Sequence, residues 1–261
     1  MIVVKFGGHA MKDENGAFSA AIAAAKSHGE GVVVVHGGGP QIDSALELAG
    51  VSSSFIGGLR ITTPEIFTIV EQTLCNEVGP GVAEVLTDSG TPAKAVSGRA
   101  LPTLIAVKKK LLVDGSSADL GLVGDVVSVN TVQIQSILDD GFVPVISPIA
   151  ADRDSSGGLN VNADLAAAAI AGALDASVLI IMTDVQGIYR NWPDKTSLIE
   201  NISAHELEGI KATFVGGMAP KAQAVLDAIA NGARAVRVID GTDSTSFQAA
   251  LAGHGGTLVS A

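Results

Sequence analysis

Residues 2–9, IVVKFGGH, set one lysine near the end of a short β-branched run and follow it with a Gly-Gly turn. An ammonium inside such a strand costs several kcal/mol unless it meets a partner charge, so Lys5 is expected at the strand end, where its head can leave the core. Gly7 and Gly8 can turn without Cβ clashes and let a ligand approach bare backbone amides. A cation beside such a turn suits a phosphate group. Taken alone, the stretch fits equally well a surface lysine before an ordinary turn.

The pattern returns at residues 31–40, GVVVVHGGGP, and the intervening Ala17 to Ser27 has the composition of a helix that ends near His28-Gly29. Gln41 to Ala49 again reads as a helix, which completes a β-α-β-turn-α unit. Two glycine turns then end two adjacent parallel strands. Ligands bind at that edge of open α/β sheets.

Further along, Ser52 to Leu59 reads as irregular. Thr63 as N-cap, with Pro64 at the first helical position, starts a long helix expected to reach about Leu86. Between Ala93 and Asn130, short apolar runs separated by Gly, Asp and Lys suggest hairpins and an antiparallel flap. Within that flap Lys108 to Lys110 reads as a solvated turn. Phe142 to Ser147 and Val178 to Met182 read as buried strands, Leu159 to Asp164 as the opening of an Ala-rich helix to Leu174, and Ser203 as the cap of a short one.

With 47% apolar residues in 261, the chain can bury one large core or two intimate lobes, which excludes disorder. The apolar content is Ala, Val, Ile and Leu with only 3% aromatics, as in buried parallel strands covered by Ala-rich helices. The formal charge of −11 argues against a binder of nucleic-acid backbone, so an anionic ligand must be held by a few placed cations. Cys75 is the only cysteine, which excludes an internal disulfide and a thiolate metal site; packing in the core of a cytoplasmic protein is the simpler expectation. Leu165 to Met182 is apolar but contains Asp175 and passes from helix to strand composition, so no membrane span is expected.

No Gly-x-Gly-x-x-Gly, no Gly-Lys pair and no Gly-x-Ser-x-Gly occurs, and the five histidines lack metal-ligand spacing. What remains are polar residues at apolar or glycine-rich borders. Seven segments, VVKFGGH, VVHGGGP, GGLRITT, DLGLVGDV, LNVNAD, LIIMTDVQGIY and GGMAPK, follow one another in order across nearly the whole chain. In that series the chain resembles the amino-acid kinase family, and within it the branch acting on N-acetyl-L-glutamate.

The resemblance implies a three-layer α/β/α sandwich around a mainly parallel, roughly eight-stranded open sheet. Residues 1–176 would form an N-terminal lobe for amino-acid substrate and dimerisation, and 177–261 a C-terminal lobe for ATP. The implied reaction is an ATP-binding transferase step of arginine biosynthesis, with Mg²⁺ carried on the ATP phosphates. Lys5 and Lys221 would hold the transferring phosphoryl and the leaving phosphate, with Asp164 orienting both lysines. Gly38, Gly39, Arg60 and Asn160 would bind the acceptor. Gly7, Gly8, Thr183, Asp184, Gly187 and Met218 would serve the nucleotide and its phosphates. Outside this context Asp164 suits an N-cap or first-turn acid of the Ala-rich helix, Arg60 a surface ion pair and Asn160 a turn. The chain opens directly at its first strand and ends AGHGGTLVSA without an acidic stretch, which leads to the expectation of an arginine-insensitive cytoplasmic homodimer. Two other readings stay open: a sibling kinase acting on carrier-linked aminoadipate or glutamate, and a non-catalytic sensor of ATP or an amino acid.

Overall fold

The computed structural model describes residues 1–7, 16–112, 115–214, 218–243 and 245–261, with the backbone alone at Pro220. The first half runs β1 (Ile2–Phe6), α1 (Ala17–Ser27), β2 (Val32–His36), α2 (Gly39–Leu48), β3 (Phe55–Ile56), β4 (Leu59–Arg60), α3 (Pro64–Gln72), α4 (Gly79–Asp88), β5 (Ala93–Ser97), β6 (Leu104–Lys108), β7 (Val123–Val129) and α5 (Thr131–Asp139). It continues through β8 (Val143–Ser147), β9 (Ile149–Asp152), β10 (Gly158–Val161), α6 (Ala163–Ala173), β11 (Val178–Thr183), β12 (Asn201–Ser203), α7 (Ala204–Ile210), α8 (Met218–Ala230), β13 (Ala235–Asp240), α9 (Ser246–Leu251) and β14 (Thr257–Ser260).

The main sheet has eight strands in the order β12-β14-β13-β11-β1-β2-β8-β5. Every neighbouring pair is parallel except β13 and β14. Side chains alternate along each strand, so the two faces fill separately. Val3, Val33, Val35, Leu179 and Ile181 meet Ala166 to Ala168 of α6 and Ala222 and Val225 of α8. On the other face Val4, Phe6, Val32, Val34 and Ile180 meet Phe18 and Ile22 of α1, Leu86 of α4 and Phe247 of α9. Two helical layers thus enclose the sheet, which explains why the central strand β2 carries apolar residues at four successive positions.

Several expectations are revised. Segment 93–130 is not all hairpin: β5 joins the main sheet parallel to β8, and only β6 and β7 pair antiparallel. β6 and β7 close into a four-strand ring with β9 and β10. Residues 52–59 are not wholly irregular, since β3 and β4 form a small antiparallel ladder. The long helix from Pro64 does start on a Thr63 cap, with Ile66 N–H donating to Thr63 Oγ1 at 3.2 Å, but it passes through a π-helical stretch at Thr73–Val78 before continuing as α4. Lys109 is not a solvated turn residue. Its side chain is only 14% exposed because Nζ pairs with Asp125 at 2.7 Å across the β6–β7 ladder. No helix among the described residues is long and apolar enough to cross a membrane.

Candidate active site

Parallel pairing puts the C-terminal ends of β1, β2 and β11 side by side, with Lys5 level with Val35 and Ile181. Alternation turns Lys5 toward the face covered by α6. There Asn162 caps that helix, its Oδ1 accepting from the amides of Asp164 at 2.9 Å and Leu165 at 3.2 Å. The cap fixes the first turn, and Asp164 Oδ1 comes to lie 3.2 Å from Lys5 Nζ. The two side chains are 15% and 24% exposed, so the pair is half-buried and weakly screened. Its approach is not aligned as a hydrogen bond, and Asp164 Oδ1 is the one buried side-chain polar atom without a hydrogen-bond partner among the described residues. A cation partner that is close but undirected leaves Lys5 donors for another ligand.

Gly7 leaves room for the lysine head. A Cβ there would sit 3.1 Å from Lys5 Cε and 3.2 Å from Nζ, in the space the lysine head uses. The second glycine turn touches the first, with Gly37 N–H donating to the Phe6 carbonyl at 2.7 Å. At Gly38 a Cβ would fall 2.4 Å from Leu74 Cδ2. Gly39 and Pro40 then open α2, whose free amides and dipole favour an anion. Gly8, expected to share this cradle, lies outside the described residues.

His36, the last residue of β2, is fully buried behind the turn. Its Nδ1 lies 2.7 Å from the Gly37 carbonyl and its Nε2 2.8 Å from Ser147 Oγ, which is itself 3.1 Å from the Leu74 carbonyl of the π-helical stretch. Burial holds the ring pKa down at about 4, partly offset by the bond to Gly37, so the imidazole is neutral near pH 7. Sequence reasoning sought metal ligands among the histidines and passed this one over. The available signal was a polar residue closing a fully apolar strand directly before three glycines.

Arg60 and Asn160 converge through Thr62. Asn160 Nδ2 donates to Thr62 Oγ1 at 3.2 Å, and Thr62 Oγ1 donates to the Arg60 carbonyl at 2.9 Å. Gly121, at φ +69°, makes this possible, since a Cβ on it would lie 2.3 Å from the Thr62 carbonyl oxygen. The Arg60 guanidinium is buried, donates to Asp43 Oδ1 and Ser53 Oγ at 2.6 Å each, and lies 4.6 Å above the Phe55 ring. Asp43, Ser53 and Phe55 are supports the sequence did not disclose. Asp43 belongs to α2, so the arginine is tied to the helix that starts at the glycine turn.

On the other side, Lys221 Nζ pairs with Asp184 Oδ1 at 2.9 Å, their side chains 23% and 67% exposed. Among the described residues Lys5 thus pairs with Asp164 and Lys221 with Asp184. Asp184 follows β11, where Thr183 Oγ1 donates to Val185 O at 3.0 Å and Ile239 O at 3.2 Å. Gly187 packs where a Cβ would reach 2.4 Å from Thr257 Oγ1. Met218 is buried at the start of α8. A separate open cavity of about 990 Å³ between α3 and the four-strand ring is lined by Arg99, Lys108, Glu71 and Asp152, and none of Lys5, Asp164 or Lys221 faces it. Among the described residues no group of three His, Cys, Asp or Glu could hold a metal ion.

Lys5 and the glycine turns thus offer a cation and bare amides to anionic oxygens, and Lys221 offers a second cation, paired with Asp184 beyond the end of β11. A model of the amino acid kinase family matches residues 1–240. The acetylglutamate kinase of Acidothermus cellulolyticus is 44% identical over 245 residues, covering 92% of this chain and 83% of its own. That of Corynebacterium glutamicum strain ATCC 13032 is 40% identical over 258 residues, covering 98% and 87%. Among solved structures, smu.665 from Streptococcus mutans UA159 superposes with a TM-score of 0.80 at 29% identity, covering 99% of this chain and 98% of that one. Carbamate kinase from Giardia lamblia bound to AMP-PNP shares the fold, with a TM-score of 0.70 at 18% identity over 99% of this chain and 97% of its own.

Proposed function

This chain belongs to the amino-acid kinase family, and from that membership we propose that it transfers the γ-phosphoryl of ATP to the side-chain carboxylate of N-acetyl-L-glutamate, giving N-acetylglutamyl 5-phosphate and ADP in arginine biosynthesis. A carboxylate oxygen forms the new bond to Pγ, the bond from Pγ to the β–γ bridging oxygen breaks, and that electron pair leaves on ADP. The acceptor is already ionised at neutral pH, so no general base is needed. The main barrier is repulsion between a carboxylate and a polyphosphate, which is several kcal/mol at close range in a drying cleft.

Lys5 and Lys221 offset that repulsion, Lys5 at the transferring phosphoryl and Lys221 at the leaving phosphate. Asp164 orients the two lysines, holding Lys5 on the α6 face, and amides of Gly7, Gly38 and Gly39 receive oxygens of phosphate and acceptor. Arg60 presents a planar fork to the α-carboxylate, and Asn160 bonds the same acetylated amino acid. Residues 1–176 carry the acceptor and the dimer surface, and Thr183, Asp184, Gly187 and Met218 of 177–261 the nucleotide. Mg²⁺ arrives on the ATP phosphates, a mode that asks for one or two carboxylates at most, and the chain works as a homodimer in the cytoplasm.

The observation that carries the reading is the half-buried Lys5–Asp164 pair beside two touching glycine turns, in a chain whose relatives are acetylglutamate kinases. A coupled ADP-release assay over a panel of free and carrier-linked carboxylates tests it. ADP release dependent on free N-acetylglutamate is expected. Release only with a carrier-linked substrate, or none with any acceptor, overturns it.

A further inference from the structure

His36 takes no part in the phosphoryl chemistry above, yet it is fully buried one residue before the glycine turn. A carbonyl oxygen only accepts, so the 2.7 Å contact with Gly37 requires the ring hydrogen on Nδ1. Nε2 is then the acceptor, 2.8 Å from the Ser147 hydroxyl. One neutral tautomer satisfies both ring contacts, with the single Ser147 hydrogen directed to Nε2 at 2.8 Å and not to the Leu74 carbonyl at 3.1 Å. Room for it exists because residue 79 is a glycine, whose Cβ would lie 3.0 Å from Nε2 and 3.1 Å from Ser147 Oγ.

The Gly37 carbonyl shares a plane with the Gly38 amide, and in a trans peptide the C=O and the following N–H point in opposite directions. A ring that holds the carbonyl on its buried side turns the Gly38 N–H away from the core. The same turn is tied at its start by Gly37 N–H to Phe6 O at 2.7 Å, and at its end by Ile42 N–H to Gly38 O at 2.8 Å, the first bond of α2. Between those ties the Gly37–Gly38 peptide has no Cβ to restrict it. His36 is the one side chain among the described residues that bonds that peptide.

We propose that His36 is a positioning residue for the kinase reaction: its Nδ1–H bond to the Gly37 carbonyl sets the plane of the Gly37–Gly38 peptide and so aims the Gly38 amide at the bound oxygens. The inference rests on the reading that Gly38 contacts those oxygens.

Two variants separate the two edges of the ring. His36→Asn puts a carboxamide nitrogen near the Nδ1 position and keeps a donor for Gly37, whereas His36→Gln reaches the Nε2 position and keeps only the Ser147 side. Ser147→Ala removes the Nε2 partner and leaves the ring. Hydrogen exchange of the Gly37 and Ile42 amides, the bonded pair that flanks this peptide, read without any substrate, is expected to rise about tenfold in His36→Gln and to stay within about threefold of wild type in His36→Asn and Ser147→Ala. In turnover, His36→Gln should lose about 100-fold in kcat with KM for ATP little changed, and His36→Asn should recover most of that loss. A role in core filling alone predicts the reverse, with Gln the milder change. Equal exchange in the two histidine variants, or a loss of protection in Ser147→Ala matching that of His36→Gln, overturns the proposal. If neither histidine variant folds, Ser147→Ala is read against wild type: exchange within about threefold supports the Gly37 bond as the tie, and a rise of about tenfold overturns the proposal. The exchange readout needs no acceptor, so a wild-type protein that ignores N-acetylglutamate sinks the substrate reading and leaves this inference to its own result.

Discussion

Acid should destabilise this protein through His36 in particular, and the size of the effect follows from its burial. The folded ring has a pKa of about 4 against the ordinary 6.5, and the cause is desolvation with no neighbouring charge. Between those two values the unfolded chain binds a proton that the folded chain does not, so stability rises with pH across that window. The contribution is complete above pH 6.5 and is lost as the pH falls toward 4. A gap of about 2.5 units corresponds to about 3 kcal/mol at the acid end, and the same linkage gives about 2 kcal/mol at pH 5. Asp152, Asp194, Glu206 and Asp243 also have lowered pKa values, from hydrogen bonds to nearby backbone and hydroxyl groups, and they too lose stability in acid. They act equally in wild type and in His36→Asn. Urea unfolding of both proteins near pH 7.5 and near pH 5 therefore isolates the histidine: wild type should lose about 2 kcal/mol more than the variant between the two conditions. Equal losses would show that the ring is hydrated or carries its proton in the folded state, and would refute the burial argument.

Three further outcomes follow from the site. Lys221→Ala should lower kcat by about 100-fold or more while KM for the acceptor stays within about threefold, measured by steady-state kinetics, since the lysine serves charge that develops on the leaving phosphate. Arg60→Lys keeps the charge but loses the fork that meets Asp43 and Ser53 at 2.6 Å; acceptor KM should rise about tenfold with a smaller change in kcat. Gly121→Ala places a methyl 2.3 Å from the Thr62 carbonyl at a φ of +69°, and should cost about 1–3 kcal/mol in chemical denaturation and raise acceptor KM, because Thr62 ties Asn160 to Arg60.

The apolar run of IVVKF, broken only by Lys5, and the unbroken VVVV at 32–35 pointed, without any structure, to parallel strands covered on both faces, since strands buried on both sides carry such runs. Glycine turns at Gly7 and Gly37 to Gly39 also marked the ligand edge, because a backbone without Cβ atoms after a buried strand has few other uses. The short-range devices were legible for the same reason: Thr63 capping α3 and Ser203 in its capping box depend on residues three or four apart.

Tertiary structure decided whatever depends on residues far apart in the chain. β5 reads as hairpin because its mixed pattern is that of an edge strand, and only its partner β8, some fifty residues on, makes it parallel. The π-helical turn at Thr73–Val78 has no local signature; it sits where Leu74 packs on Gly38 and its carbonyl faces Ser147. Which carboxylate each lysine meets was likewise invisible, since Asp164 reaches Lys5 across the β1–α6 contact and Asp184 reaches Lys221 from the end of β11. Composition and periodicity fix which face of an element is buried, because that depends on each residue's own chemistry. Pairing between elements depends on the path of the whole chain, and a buried, neutral His36 held against a glycine turn exists only once that path has closed around it.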